Sequence, residues 1–175
     1  MLILTKSVFA IMIGFLCSVV LGLILIPALK KLNVGQRISV FVGESHRKKE
    51  GTPTMGGLIF NFSTLFTTFL LLITHKIEYT TNLGIVLVVF IGYAIIGFLD
   101  DYLSIKRHNN EGLTEVQKLI GQVIIALIFF YMYIRNGGQT ALIVSTLGIH
   151  IEMGWVYGLF ILFLLVGGSN AVNLT

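Results

Sequence analysis

Two adjacent carboxylates, Asp100 and Asp101, close an apolar run in the stretch Gly97-Phe98-Leu99-Asp100-Asp101-Tyr102. An aspartate carried into hydrocarbon costs roughly 2.5–3.5 kcal/mol on insertion scales. A pair also repels itself unless a cation or a shared proton intervenes. On a helix the two side chains diverge by about 100°, so one can face a bundle of helices while the other faces water. Gly97, one turn earlier, leaves the surface beneath them open. These residue types fit a divalent-cation site combined with a general base or nucleophile acting on a phosphate. The competing reading is two solvated aspartates just past a helix end.

Three further groups of polar residues could act with them. Ser45-His46-Arg47-Lys48-Lys49, followed by Gly51-Thr52-Pro53-Thr54, offers cations, hydroxyls and exposed backbone amides. Such a loop can hold an anionic ligand at a membrane surface, or simply anchor on lipid head groups. Lys118 and Gln122 are four residues apart on one helix face, with Gly121 beside them. Lys118 either snorkels to the membrane surface or contacts a phosphate. Asn170 and Asn173 are three apart and share a face if their segment is helical. Gly167-Gly168 before them either breaks the helix or seats a ligand; the alternative is a helix simply leaving the membrane.

The elements that must position these groups are apolar. Of 175 residues, 55% are hydrophobic and 11% charged, with a mean hydropathy of +0.92. Soluble domains carry about 25% charged residues, so the chain is expected to be an all-α polytopic membrane protein forming a single domain. Spans of about 7–29, 55–74, 83–103, 115–134 and 153–172 are predicted, each long enough for about 30 Å of hydrocarbon. Pro27 is expected to kink or end the first. The first apolar stretch is too long for the hydrophobic region of a cleavable signal. Thr114-Glu115-Val116-Gln117 reads as a capping box opening the fourth span. Asn136-Gly137-Gly138 should end it. The alternation over Gln139–Glu152 predicts a short β-hairpin outside the hydrocarbon. Cys17, the lone cysteine, sits in an apolar run and reads as a packing residue.

Charge placement gives an orientation. Nine of the twelve lysines and arginines flank the first polar loop or the loop after the aspartates; Lys6, Lys76 and Arg135 lie on the other side. The positive-inside rule then puts the N-terminus outside and both basic loops in the cytoplasm. The polar clusters therefore gather at one membrane face. The net charge of +4 follows this membrane pattern, and nucleic acid is not expected as a partner.

The motifs GTPTMGG (Gly51–Gly57), GFLDDY (Gly97–Tyr102), NNEGLTEVQKLIGQ (Asn109–Gln122) and SNAVNLT (Ser169–Thr175) resemble those of the phospho-N-acetylmuramoyl-pentapeptide transferases. The likeness runs through the whole chain in order. It implies a bacterial inner-membrane enzyme of peptidoglycan synthesis that moves phospho-MurNAc-pentapeptide from UDP to undecaprenyl phosphate, releasing UMP and requiring Mg²⁺. It implies Asp100 and Asp101 as catalytic and metal-binding residues. Lys49, Thr54, Lys118, Asn170 and Asn173 are implied as substrate-binding positions, together with His46. A homodimer is implied for a full-length member.

Departures exist: Ser104 where lysine is common, Gly43-Glu44 where Gly-Pro is common, and Ser39 where arginine is common. The family pattern also continues beyond Asn-Leu-Thr into further spans. The chain therefore reads as the N-terminal half of a roughly ten-helix enzyme, expected to be inactive alone. Two other classes compete: a transporter-like membrane protein with an acidic gate, and a degenerate copy that only binds lipid. Transporters tend to place their sites near the midplane, whereas these clusters lie at one boundary.

Overall fold

The structure, a computed structural model, describes residues 3–31, 54–107 and 112–173. His46, Lys49 and the rest of the basic loop lie outside the described residues. Among the described residues, three helices are long and apolar enough to cross a membrane, Leu4–Lys31, Thr81–Arg107 and Glu115–Arg135, and two shorter apolar helices are Gly57–Ile73 and Val156–Val172. With one two-stranded sheet, this is an all-α polytopic membrane protein. Two compact units divide it: residues 1–79 with 97–113, and residues 80–96 with 114–175.

In the first unit, α1 (Ile3–Lys31) packs against α2 (Gly57–Ile73). Pro27 lies inside α1, which continues to Lys31 rather than ending there. A proline this close to the end removes a backbone bond where few remain to be lost. The buried stripe of α2 is Ser63, Thr67 and Leu71, at helical i, i+4, i+8 spacing. A Cβ added at Gly14 would touch Thr67 Oγ1 at 3.6 Å, so the glycine lets the helices approach over a hydroxyl. Ser63 Oγ donates to the Ile59 carbonyl at 2.7 Å, which satisfies its buried hydroxyl. Cys17 is free and half-buried, as a packing residue should be. The outward faces of α1 and α2 are apolar and exposed, at Phe15, Leu23 and Phe69 for example. That is the expected surface of a helix facing lipid.

α3 (Thr81–Arg107) begins in the second unit and ends in the first. Thr80 Oγ1 accepts from the Leu83 N–H at 3.2 Å and caps its start. The helix runs on past the predicted boundary at Leu103 to Arg107, because Leu103, Ser104 and Ile105 remain half-buried. Asp100 and Asp101 therefore lie within a helix, not just beyond its end.

In the second unit, α3 meets α4 (Glu115–Arg135) through two glycine–isoleucine contacts. A Cβ at Gly92 would lie 2.9 Å from Ile125 Cδ1, and one at Gly121 would lie 3.0 Å from Ile96 Cδ1. Each helix thus seats an isoleucine against a glycine of the other, the close approach that small residues permit. The capping box forms: Thr114 Oγ1 accepts from the Gln117 N–H, and Gln117 Oε1 accepts from the Thr114 N–H. At the other end Gly137 adopts φ +78°. Gly137 N–H bonds to the Ile134 carbonyl and Gly138 N–H to the Tyr133 carbonyl, the paired bonds of a Schellman stop. The hairpin follows as β1 (Ala141–Val144) and β2 (Ile149–Glu152), antiparallel with Ala141 opposite Glu152 and Val144 opposite Ile149. A 3₁₀ turn, Ser145–Leu147, and left-handed Gly148 join them. The last apolar stretch is not one regular helix. α5 (Val156–Leu162) passes through a π turn (Phe163–Gly167) into α6 (Gly168–Asn173). Gly167-Gly168 thus continue a helix rather than breaking it.

Candidate functional site

Asp100 and Asp101 stand in the last two turns of α3, where the helix dipole is negative and Lys106 and Arg107 offer partial compensation. Both are half-buried. Carboxylates in that setting need donors, and two loops of the same unit supply them through backbone. Asp101 Oδ2 accepts from the Met55 N–H at 2.9 Å. Asp100 Oδ1 accepts from the Leu113 N–H at 2.8 Å. Hydrogen bonds to ionised acceptors are roughly twice as strong as neutral ones.

The donor at Met55 depends on an uncommon backbone conformation. Met55 has φ +67°, the left-handed region that non-glycine residues seldom enter. It stands immediately before α2: its carbonyl accepts from the Leu58 N–H at 3.0 Å, and Gly56 is the N-cap with no side-chain cap bond. The Asp101 carboxylate therefore sits at the positive start of α2, where an anion is favoured. The donor at Leu113 is held differently. Arg107 Nη1 donates to the Gly112 carbonyl at 2.9 Å, tying the returning loop to the helix that carries Asp100. Phe98 and Tyr102 stack with ring centroids 6.1 Å apart, one turn apart along α3.

The two aspartates thus accept from amides of two different segments. Each amide engages one of a carboxylate's roughly four lone-pair sites, which is compatible with a cation on the same groups. Among the described residues no group of three or more His, Cys, Asp or Glu comes together. Two carboxylates nevertheless match what Mg²⁺ takes from protein when phosphates and waters complete its shell.

The other sequence-chosen residues fall as follows. Thr54 is half-buried beside Met55, and its Oγ1 is shielded with no hydrogen-bond partner among the described residues. Lys118 is half-buried in the first turn of α4, in the second unit. Asn170 does not stand alone: its Nδ2 donates to Gln122 Oε1 at 2.7 Å and to the Val166 carbonyl at 2.8 Å. Gln122 is only 7% exposed. The Val166 carbonyl also accepts from Ser169 Oγ at 3.0 Å. The π turn around it displaces regular helical bonding and turns that carbonyl toward side chains. Asn173 ends α6, and its side chain lies outside the described residues.

Gly112, Arg107 and the Met55 and Leu113 amides were not chosen from sequence as site groups. The signal was present in the glycine-containing motifs around them, but it pointed to side chains and substrate, whereas the contribution is made by backbone.

The profile described as glycosyl transferase family 4 matches residues 83–175, which carry both aspartates. The chain belongs to glycosyl transferase family 4. A second match, at residues 49–60, is to phospho-N-acetylmuramoyl-pentapeptide-transferase signature 1, and it contains Thr54 and Met55. Curated relatives of that name include one from Bacillus subtilis (strain 168), 45% identical over 168 residues, covering 95% of this chain and 51% of that protein. Another, from Bacillus licheniformis, is 44% identical over 167 residues, covering 95% of this chain and 51% of that protein. A third, from Geobacillus kaustophilus, is 46% identical over 169 residues, covering 96% and 52%. The chain spans about half the length of the curated relatives it matches. Family membership and multiple apolar helices together make it a multi-pass membrane protein of the glycosyltransferase class.

Proposed function

We propose that this chain forms the aspartate-bearing part of a phospho-N-acetylmuramoyl-pentapeptide transferase, which joins the sugar phosphate of UDP-MurNAc-pentapeptide to undecaprenyl phosphate. The observation that carries the reading is the pair Asp100–Asp101, each carboxylate fixed by a backbone amide from a separate loop, in a chain that carries the transferase signature. The acceptor is amphiphilic, so its phosphate must react at the membrane boundary. The lysines and arginines gathered around the two polar loops support a boundary on the cytoplasmic side of the bacterial inner membrane, by the positive-inside rule.

In this reading the acceptor phosphate oxygen attacks the sugar-bearing phosphorus. The bond from that phosphorus to the bridging oxygen breaks, and UMP leaves. One aspartate takes the proton from the acceptor phosphate, and the other stays ionised. Asp100 and Asp101 would hold Mg²⁺, whose positive charge would offset repulsion among the phosphates. Lys118, Thr54, Asn173 and the loop residues His46 and Lys49 contact the substrates. Asn170 contributes through its hydrogen bond to Gln122.

The test joins this chain at Thr175 to the remaining half of the Bacillus subtilis relative and measures UMP release in membranes. The chimera should turn over, the 175-residue chain alone should not, and Asp100→Asn and Asp101→Asn should each cut the chimera's turnover by roughly 100-fold or more. Near-normal turnover in both variants would show that the aspartates are not a catalytic pair.

A further inference from the structure

Asp100 is held by the segment Gly112-Leu113, and that segment fits for one reason only: residue 112 has no side chain. A Cβ built on Gly112 runs into Asp100 Oδ1, its carboxyl carbon and its main-chain carbonyl oxygen, all closer than the 3.0 Å that real Cβ atoms respect. Asp100 occupies the space that a side chain at residue 112 would need. On the other side of the same residue, the Gly112 carbonyl accepts from Arg107 Nη1. One residue later the Leu113 N–H reaches Asp100 Oδ1. Arg107 and Asp100 are on one helix, so α3 grips the returning loop at two points and the loop sets the carboxylate in return.

We propose that Gly112 and Arg107 are positioning residues for Asp100. The absent side chain at 112 permits the Leu113 amide to reach Oδ1, and the Arg107 guanidinium holds the loop at that distance. Both act through Asp100; neither is a catalytic residue. The assignment rests on the transferase reading for the purpose of the carboxylate, but the contact itself does not.

The experiment uses the 175-residue chain in lipid nanodiscs, with residue-resolved amide hydrogen exchange. In Gly112→Ala the Leu113 amide should exchange roughly tenfold faster or more, as expected for losing a bond to a charged acceptor. The Met55 amide, bound to the neighbouring Asp101, and the Gln117 amide in the capping box should keep their protection. They report that the helices remain folded. Arg107→Ala should also release Leu113, and Arg107→Lys, which retains a donor, should restore part of the protection. In the chimera, Gly112→Ala should lower kcat with little change in KM for the nucleotide sugar.

Unchanged Leu113 exchange in both Gly112→Ala and Arg107→Ala overturns the proposal, whatever the transferase assay gives. Simultaneous loss of protection at Met55, Leu113 and Gln117 also overturns it, because the residues would then be general fold determinants. Faster Leu113 exchange alone supports the positioning contact. If Asp100→Asn leaves the chimera fully active, the transferase reading of Asp100 fails while that contact stands.

Discussion

Met55 presents its N–H to Asp101 from a left-handed conformation, φ +67°, and two opposing free energies decide whether it stays there. The left-handed region costs an L-residue roughly 1–2 kcal/mol. A net hydrogen bond to a charged group contributes about 1.5–3 kcal/mol. The bond therefore wins for methionine, but by only about 1 kcal/mol. Met55→Val adds a β-branched side chain, for which positive φ is a genuine outlier. A further penalty of about 1 kcal/mol or more is enough to remove the margin. The expected result is a mixture in which residue 55 spends about half its time with negative φ and its amide turned from Asp101. Met55→Leu, similar in size and not β-branched, should leave the amide where it is. Met55→Gly should keep or strengthen it, since glycine enters this region freely at an entropic cost of about 0.5–1 kcal/mol. Amide exchange at residue 55, in the chain in nanodiscs, reads the difference. Protection should be highest with glycine, slightly lower and alike with leucine and methionine, and several-fold lower with valine. If the Met55→Val variant protects this amide as well as the parent chain does, the strain is not what limits the contact. If the Met55→Gly variant loses protection, the methionine side chain and not the backbone conformation aims the amide.

Thr114→Ala removes one half of the capping box, whose Oγ1 accepts from Gln117 N–H at 3.2 Å; it should destabilise the start of α4 by about 1 kcal/mol, seen as faster exchange over residues 115–118 and little change at Ile134. Gln122→Leu deletes the acceptor for Asn170 Nδ2 while leaving its bond to the Val166 carbonyl; a loss of about 0.6–2 kcal/mol is expected in denaturant titration in detergent. Asn170→Ala should not add fully to that loss, because both changes remove the same bond; full additivity would show that the pair is not coupled.

Much of the local structure is legible from neighbouring residues. Thr114 and Gln117 announce a capping box and form one. Asn136-Gly137-Gly138 stops α4 through the positive φ that Gly137 alone makes inexpensive. The alternation across Ala141–Glu152 becomes a two-stranded ribbon in the register that Gly148 allows. These signals span a few residues, so sequence contains all their parts. Other features are set by partners far along the chain. Met55 lies 46 residues from Asp101, and Gln122 lies 48 from Asn170. No local pattern could show that Met55 would adopt a left-handed conformation. The π turn at Phe163–Gly167 is equally silent in a run of apolar residues and glycines. The extension of α3 to Arg107 is decided by the half-burial of Leu103 to Ile105, not by their propensity.

The aspartates also change meaning once their neighbours are known. From sequence they are two side chains whose charge must be offset by water, metal or chemistry. In the structure part of that offset comes from backbone: Met55 N–H for Asp101 and Leu113 N–H for Asp100. Met55, the pair Asp100–Asp101 and the segment Gly112-Leu113 are therefore physically one object within the first unit. Its central member contributes charge, and the outer two contribute amides. Replacing the Met55 side chain can leave that object intact, whereas adding a single methyl group at Gly112 cannot. A residue's weight at this site is thus set by whether its backbone can still reach a carboxylate, and the chemical character of its side chain comes second.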